Sequence, residues 1–135
     1  MQPESLEEAW DWLTRATRDL LIAQRALQGE PVLADQAVYH AHQAAENALK
    51  AYLSAQSIPF PKTHDLVRLV SLCREVEASF AHWLPAAQTL NPYVTQFRYP
   101  GGPLEPERSE AEEANRLAGE LLSSVRRGIP QLTEH

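Results

Sequence analysis

Residues 37–53 read Ala-Val-Tyr-His-Ala-His-Gln-Ala-Ala-Glu-Asn-Ala-Leu-Lys-Ala-Tyr-Leu. Ala37, Val38, Ala41, Ala44, Ala45, Ala48, Leu49, Tyr52 and Leu53 recur at three- and four-residue spacing, the period of a helix with one apolar side. The stretch predicts a helix over about residues 35–56, with Asp35 as its cap and Glu46 to Lys50 as a favourable i,i+4 pair. Its alanines permit close approach of a neighbouring helix. This stretch decides the fold, because a helix so poor in large side chains needs partners packed tightly against it.

Upstream, Ser5-Leu6-Glu7-Glu8 has the form of a capping box, followed by an apolar stripe of Leu6, Ala9, Trp10, Leu13, Ala16, Leu20, Ala23 and Leu27. Trp12 and Leu21 fall about 80–100° off the centre of that stripe, so this helix is expected to meet more than one neighbour. Gly29 and Pro31 end it, and the short turn makes the first two helices an antiparallel hairpin. Downstream, the segment 57–64 is held extended by Pro59 and Pro61. A third helix is predicted over about 65–78, capped by Thr63 or Asp65, with Leu66, Leu69, Val70, Cys73 and Val76 inward. An interrupted helical segment over about 80–97 is broken by Pro85 and Pro92, and a Pro/Gly-rich loop covers 98–108. The last helix is predicted from Ser109, with Glu112 completing a second capping box, to a stop at Gly128-Ile129-Pro130. The ten prolines therefore punctuate an all-α, antiparallel up-and-down bundle of four to five helices, read as a single domain over residues 1–135.

A chain of 135 residues buries roughly 68–70% of its unfolded surface, so no disulfide or metal staple is required. Its one cysteine, Cys73, excludes an internal disulfide or a Cys-based zinc site, and its place on the apolar stripe reads as a buried, inert thiol. The net charge of −6 speaks against gripping duplex DNA through bulk charge. No apolar run is long enough to span a membrane, and residues 1–15 carry no signal-peptide pattern, so the expected setting is cytoplasmic.

Phosphate-loop, nucleophile-elbow, zinc-protease and di-iron signatures are absent, and no catalytic residue, cofactor or metal is expected. His40 and His42 stand about 200° apart on a helix and cannot chelate one ion together. His40, Gln43, Asn47 and Lys50 form a polar stripe on the second helix. Two readings stand: a solvated face, or a face turned to a ligand or partner. Lys62, Thr63, His64 and Asp65 precede a helix N-terminus, where free N–H groups and the macrodipole favour an anion. They read either as plain capping or as a phosphate site, with Asp65 favouring protonated His64 if the two pair. Arg98 beside Tyr99 suits a phosphate clamp with a stacking ring, or local pairing of Arg98 with Glu105 or Glu107.

Taken in order, residues 37–53, then Pro61-Lys62-Thr63-His64-Asp65-Leu66, then Tyr93 through Arg98-Tyr99-Pro100, resemble the higher eukaryotes and prokaryotes nucleotide-binding (HEPN) domain family. The opening helix, with Trp10, Ala16, Asp19-Leu20 and Ala23, fits as well. The resemblance implies an antiparallel helical bundle, usually dimeric, often encoded beside or fused to a minimal nucleotidyltransferase. It also implies nucleotide binding, and for several members a role in toxin–antitoxin pairs. Catalytic members are metal-independent ribonucleases with an arginine, four to six residues, then a histidine. Here Arg74 and His82 are separated by seven residues, and the only histidine after Arg98 is His135. The expectation is a non-catalytic nucleotide- or phosphate-binding homodimer, partnered by a minimal nucleotidyltransferase. Lys62, His64 and Arg98 would contact phosphate, Tyr99 would stack or shape the pocket, and Asp65 would orient His64. The alternatives are a ribonuclease toxin using His64 and Arg98 in a rearranged site, and a pure protein-interaction module.

Overall fold

The computed structural model describes residues 3–129; Pro130 and His135 lie outside the described residues. Five α-helices carry the architecture: α1 (Pro3–Gln28), α2 (Ala34–Ala55), α3 (Leu66–Val76), α4 (Leu84–Leu90) and α5 (Arg108–Gly128). Two 3-10 turns, Ala78–Trp83 and Asn91–Val94, flank α4. Among the described residues there is no strand, and no helix is long and apolar enough to cross a membrane.

Three of the helix starts follow different chemistry from the predicted caps. α1 begins at Pro3, where the missing N–H costs nothing. Ser5 is therefore already helical, and its hydroxyl meets that of Ser57 at 2.8 Å rather than closing a capping box. Leu33, not Asp35, is the cap residue of α2, and it makes no side-chain cap bond. Its N–H instead donates to Ala26 O at 2.9 Å, closing the α1–α2 hairpin, while Asp35 adds its charge in the first turn. α5 starts at Arg108, so Ser109 is no cap, and Glu112 lies 3.6 Å from Arg108. The third helix begins as expected. Asp65 caps it, accepting from the N–H groups of Val67 at 3.0 Å and Arg68 at 3.4 Å.

Helix α2 is the axis of the core. Seventeen of its 22 residues are buried, and Ala37, Ala41, Ala44, Ala45, Ala48 and Ala51 have no accessible surface. Small side chains let α1 and α5 approach it closely, and Leu49, Leu53, Leu66, Leu69, Leu90 and Leu122 fill the space between. Each such leucine contributes about 1.5–3 kcal/mol by leaving water. α1 runs antiparallel to α2, since Asp19 meets both His40 and Asn47 while Trp12 meets Lys50. After α2, Ser57 takes a left-handed φ of 57° and Ile58 N–H donates to Leu53 O at 2.9 Å. The chain turns back along the helix it has just left. Pro85 and Pro92 each sit in the first turn of a short helix, where proline is tolerated, so they start elements rather than break one. Cys73 is fully buried on α3 as expected, and burial pushes its thiol up to about 12.

Candidate functional site

The polar stripe of α2 is not a solvated face. Asn47 and Lys50 are 7% and 6% exposed, and Glu46 beside them is 3% exposed. Charge in such a place has to be paired, and two other parts of the chain supply the partners. From α1, Asp19 accepts from His40 Nδ1 at 3.0 Å and from Asn47 Nδ2 at 2.9 Å. From the loop after α2, His64 Nδ1 donates to Glu46 Oε1 at 2.8 Å, while Lys50 Nζ donates to Glu46 Oε2 at 2.9 Å. The predicted i,i+4 pair is thus real, and it is buried. Lys50 Nζ also lies over the rings of Trp12 at 5.2 Å and Phe60 at 5.9 Å, which enclose the ammonium with aromatic faces.

His42 lies just beside this stripe and is fully buried. Its Nε2 donates to the His64 carbonyl at 2.9 Å, and its Nδ1 stands 3.0 Å from the side-chain amide of Gln43. Burial holds its pKa below the usual histidine value, so the ring is kept neutral. The bond to His64 O pins the loop backbone at the level of α2 where Glu46 can take the His64 ring. The expected pairing of Asp65 with His64 is therefore replaced. Asp65 is committed to Asn91 Nδ2 at 2.9 Å and to the α3 amides, contacts that hold its carboxyl below the ordinary range. Glu46, not Asp65, orients His64, because the helix start claims Asp65 first.

Thr63 serves the same turn, its Oγ1 accepting from Asp65 N–H at 3.0 Å. Lys62 is exposed beside it. Arg98 makes no ion pair with Glu105 or Glu107 among the described residues. Its guanidinium carbon lies over the ring of Tyr39, 4.0 Å from the centroid. The turn that aims it there is Phe97, a bulky residue at φ 71°, a conformation that side chains rarely adopt; its own ring stacks on Tyr93. Tyr99 is 70% exposed. Tyr39 and Glu46 are seven residues apart on α2, hence on one side of it and about 10 Å apart along the axis. The two predicted loops therefore reach the same side of one helix, two turns from each other.

Sequence reasoning missed Tyr39 and Glu46 as the anchors of these loops, along with Trp12, Arg15, Arg18 and Asp19 of α1. Trp12, Arg15, Arg18, Asp19 and Ile22 face Gln43, Glu46, Asn47 and Lys50 across a cleft of about 430 Å³. The available signal was the recurrence of Trp12, Arg15, Asp19 and Ile22 at helical spacing, off the apolar stripe of α1. Among the described residues no group of three or more His, Cys, Asp or Glu side chains is placed to hold a metal ion. What the arrangement offers chemically is cationic and hydrogen-bonding groups braced by the buried carboxylate of Glu46 and the partly buried one of Asp19.

Comparison with known proteins agrees with this framework. The model of the HEPN domain family matches residues 9–128. The crystal structure of TT1696 from Thermus thermophilus is similar, with a TM-score of 0.74 and 32% identity, covering 89% of this chain and 97% of that one. So is that of ST0689, an archaeal HEPN homologue, with a TM-score of 0.74 and 27% identity, covering 96% and 99%. No curated protein matches the chain.

Proposed function

The chain belongs to the HEPN domain family, and on that premise we propose that it is a non-catalytic nucleotide- or phosphate-binding domain. It acts in the cytoplasm as a homodimer and partners a separate minimal nucleotidyltransferase, in a module of the toxin–antitoxin type. The observation that supports the reading is Arg98, held over the Tyr39 ring beside the left-handed turn at Phe97, on the same side of α2 that receives His64 through Glu46. A guanidinium stacked on a ring keeps its N–H edge available, and that edge matches two phosphate oxygens. His64 spends Nδ1 on Glu46, which leaves Nε2 as the ring atom for a ligand, and its side chain is 65% exposed. Lys62 adds a mobile point charge at the loop, and the exposed Tyr99 ring serves as a stacking surface for a base.

Calorimetric titration with ATP and GTP tests this. Each charge-assisted contact is worth about 1.5–3 kcal/mol, so Arg98→Ala and Lys62→Ala are each expected to weaken binding by about tenfold or more. Variants that bind as the parent does refute the assigned residues. One observation favours a second reading, ribonuclease action: a carboxylate orienting a histidine through Nδ1 is how a general acid–base is held. The same preparations incubated with RNA in EDTA decide it. Intact RNA retires that reading, and cleavage lost in His64→Ala establishes it.

A further inference from the structure

The chain braces several of its arginines. Arg116 is clamped by Glu113 and Glu120, Arg108 lies against Glu112, and Arg126 donates to Thr17. Arg15 and Arg18 are not among these. Both are exposed, both line the α1–α2 cleft, and neither makes a hydrogen bond or ion pair among the described residues. Two carboxylates line the same cleft, but both are already committed. Asp19 is held by His40 and Asn47, and Glu46 by Lys50 and His64. The lining thus sets three cations, Arg15, Arg18 and the buried Lys50, against two carboxylates whose oxygens are taken. For a chain of net charge −6, this is a local reversal of sign.

Geometry suits the same ligand class. Arg15 and Arg18 are three residues apart on α1, a rise of about 4.5 Å, close enough to share one phosphate or grip two linked ones. Their planar forks match phosphate oxygens in pairs. Gln43 and Asn47 bring side-chain amides from the facing wall, while Trp12 and Ile22 add apolar surface to the lining. A volume of about 430 Å³ lies within the ordinary range for small-molecule sites. None of Lys62, His64, Arg98 and Tyr99 lines this cleft.

We propose that the α1–α2 cleft is a second anion site, in which Arg15 and Arg18 bind the phosphoryl groups of a small polyphosphate-bearing molecule above Lys50 and Asn47. The site does not rest on the nucleotide reading, since its anion-binding groups are separate from those assigned above. Calorimetry of the full chain with inorganic tripolyphosphate, and separately with ATP, tests it. Arg15→Ala and Arg18→Ala are exposed substitutions expected to leave the fold intact, which thermal unfolding checks. Each is expected to weaken tripolyphosphate by about tenfold or more, whereas Arg74→Ala, which removes an equal charge from the distant α3, leaves it unchanged. If tripolyphosphate binds in this pattern and ATP does not bind, the site stands and the nucleotide reading falls. If ATP binding falls in Arg98→Ala while Arg15→Ala and Arg18→Ala bind both probes as the parent does, the site is overturned and the nucleotide reading stands. Equal loss in Arg74→Ala means diffuse charge attraction and also overturns it, as does a parent that binds neither probe.

Discussion

Replacing Glu46 by glutamine is the most informative single perturbation of this fold. The substitution keeps the size of the side chain and removes its charge, leaving the Lys50 ammonium in a place where only 8% of its side chain meets solvent. Breaking a buried ion pair from one side costs about 3–5 kcal/mol, because the surviving charge is left uncompensated. One effect reduces that here. The ammonium keeps the rings of Trp12 and Phe60, which offset about 1 kcal/mol. The exposed His64 loses its partner at little cost. About 2–4 kcal/mol remains, a fall in melting temperature of roughly 6–16 °C at about 3–4 °C per kcal/mol for a chain of this size. Urea unfolding followed by far-UV circular dichroism measures it. The paired replacement Glu46→Leu with Lys50→Met removes both charges and keeps the volume, so it is expected within about 1 kcal/mol of the parent or above it. A single variant as stable as the parent, or a paired variant no better than the single one, refutes the view that desolvated charge governs this spot.

Stability depends on pH through His42, whose pKa burial lowers, against partial opposition from Gln43, the Glu46 carboxylate and the His64 carbonyl. Between the lowered native value and the ordinary value of 6.5, the unfolded chain binds more protons than the folded one. Stability is therefore complete above about pH 6.5 and drains as pH falls through the native value, and His42→Gln is expected to flatten that decline; equal slopes in urea midpoints between about pH 7.5 and 5.5 refute it. Leu21 and Ile22 leave 43% and 44% of their surface exposed on α1. Sedimentation at micromolar concentration is expected to show a dimer that Leu21→Glu converts to monomer, and a monomeric parent refutes dimerisation through this face.

The sequence by itself determined the helices and their order. Periodic alanines in 37–53, the proline-free stretches and Asp65 as a cap are local facts, set by helical spacing and by which backbone groups a side chain can reach from its own neighbourhood. Where two local solutions competed, the sequence did not choose between them: Ser5 and Ser109 had the spacing of capping boxes, yet the helices start earlier, at Pro3 and Arg108. The environment of a polar residue was decided by tertiary structure alone. His40, Asn47 and Lys50 have the periodicity of a solvated stripe, but burial depends on what the rest of the chain lays over them. Asp19 is 28 residues from Asn47 in sequence, and His64 is 18 from Glu46. The loop residues Lys62, His64 and Arg98 were legible as cations near helix ends. That Tyr39 and Glu46 would hold two of those loops against one side of α2, and that Arg15 and Arg18 would face it unpaired, follows only from packing α1 and the returning loop onto that helix. A charge is fixed by sequence, but its dielectric surroundings and its partner are properties of the folded chain.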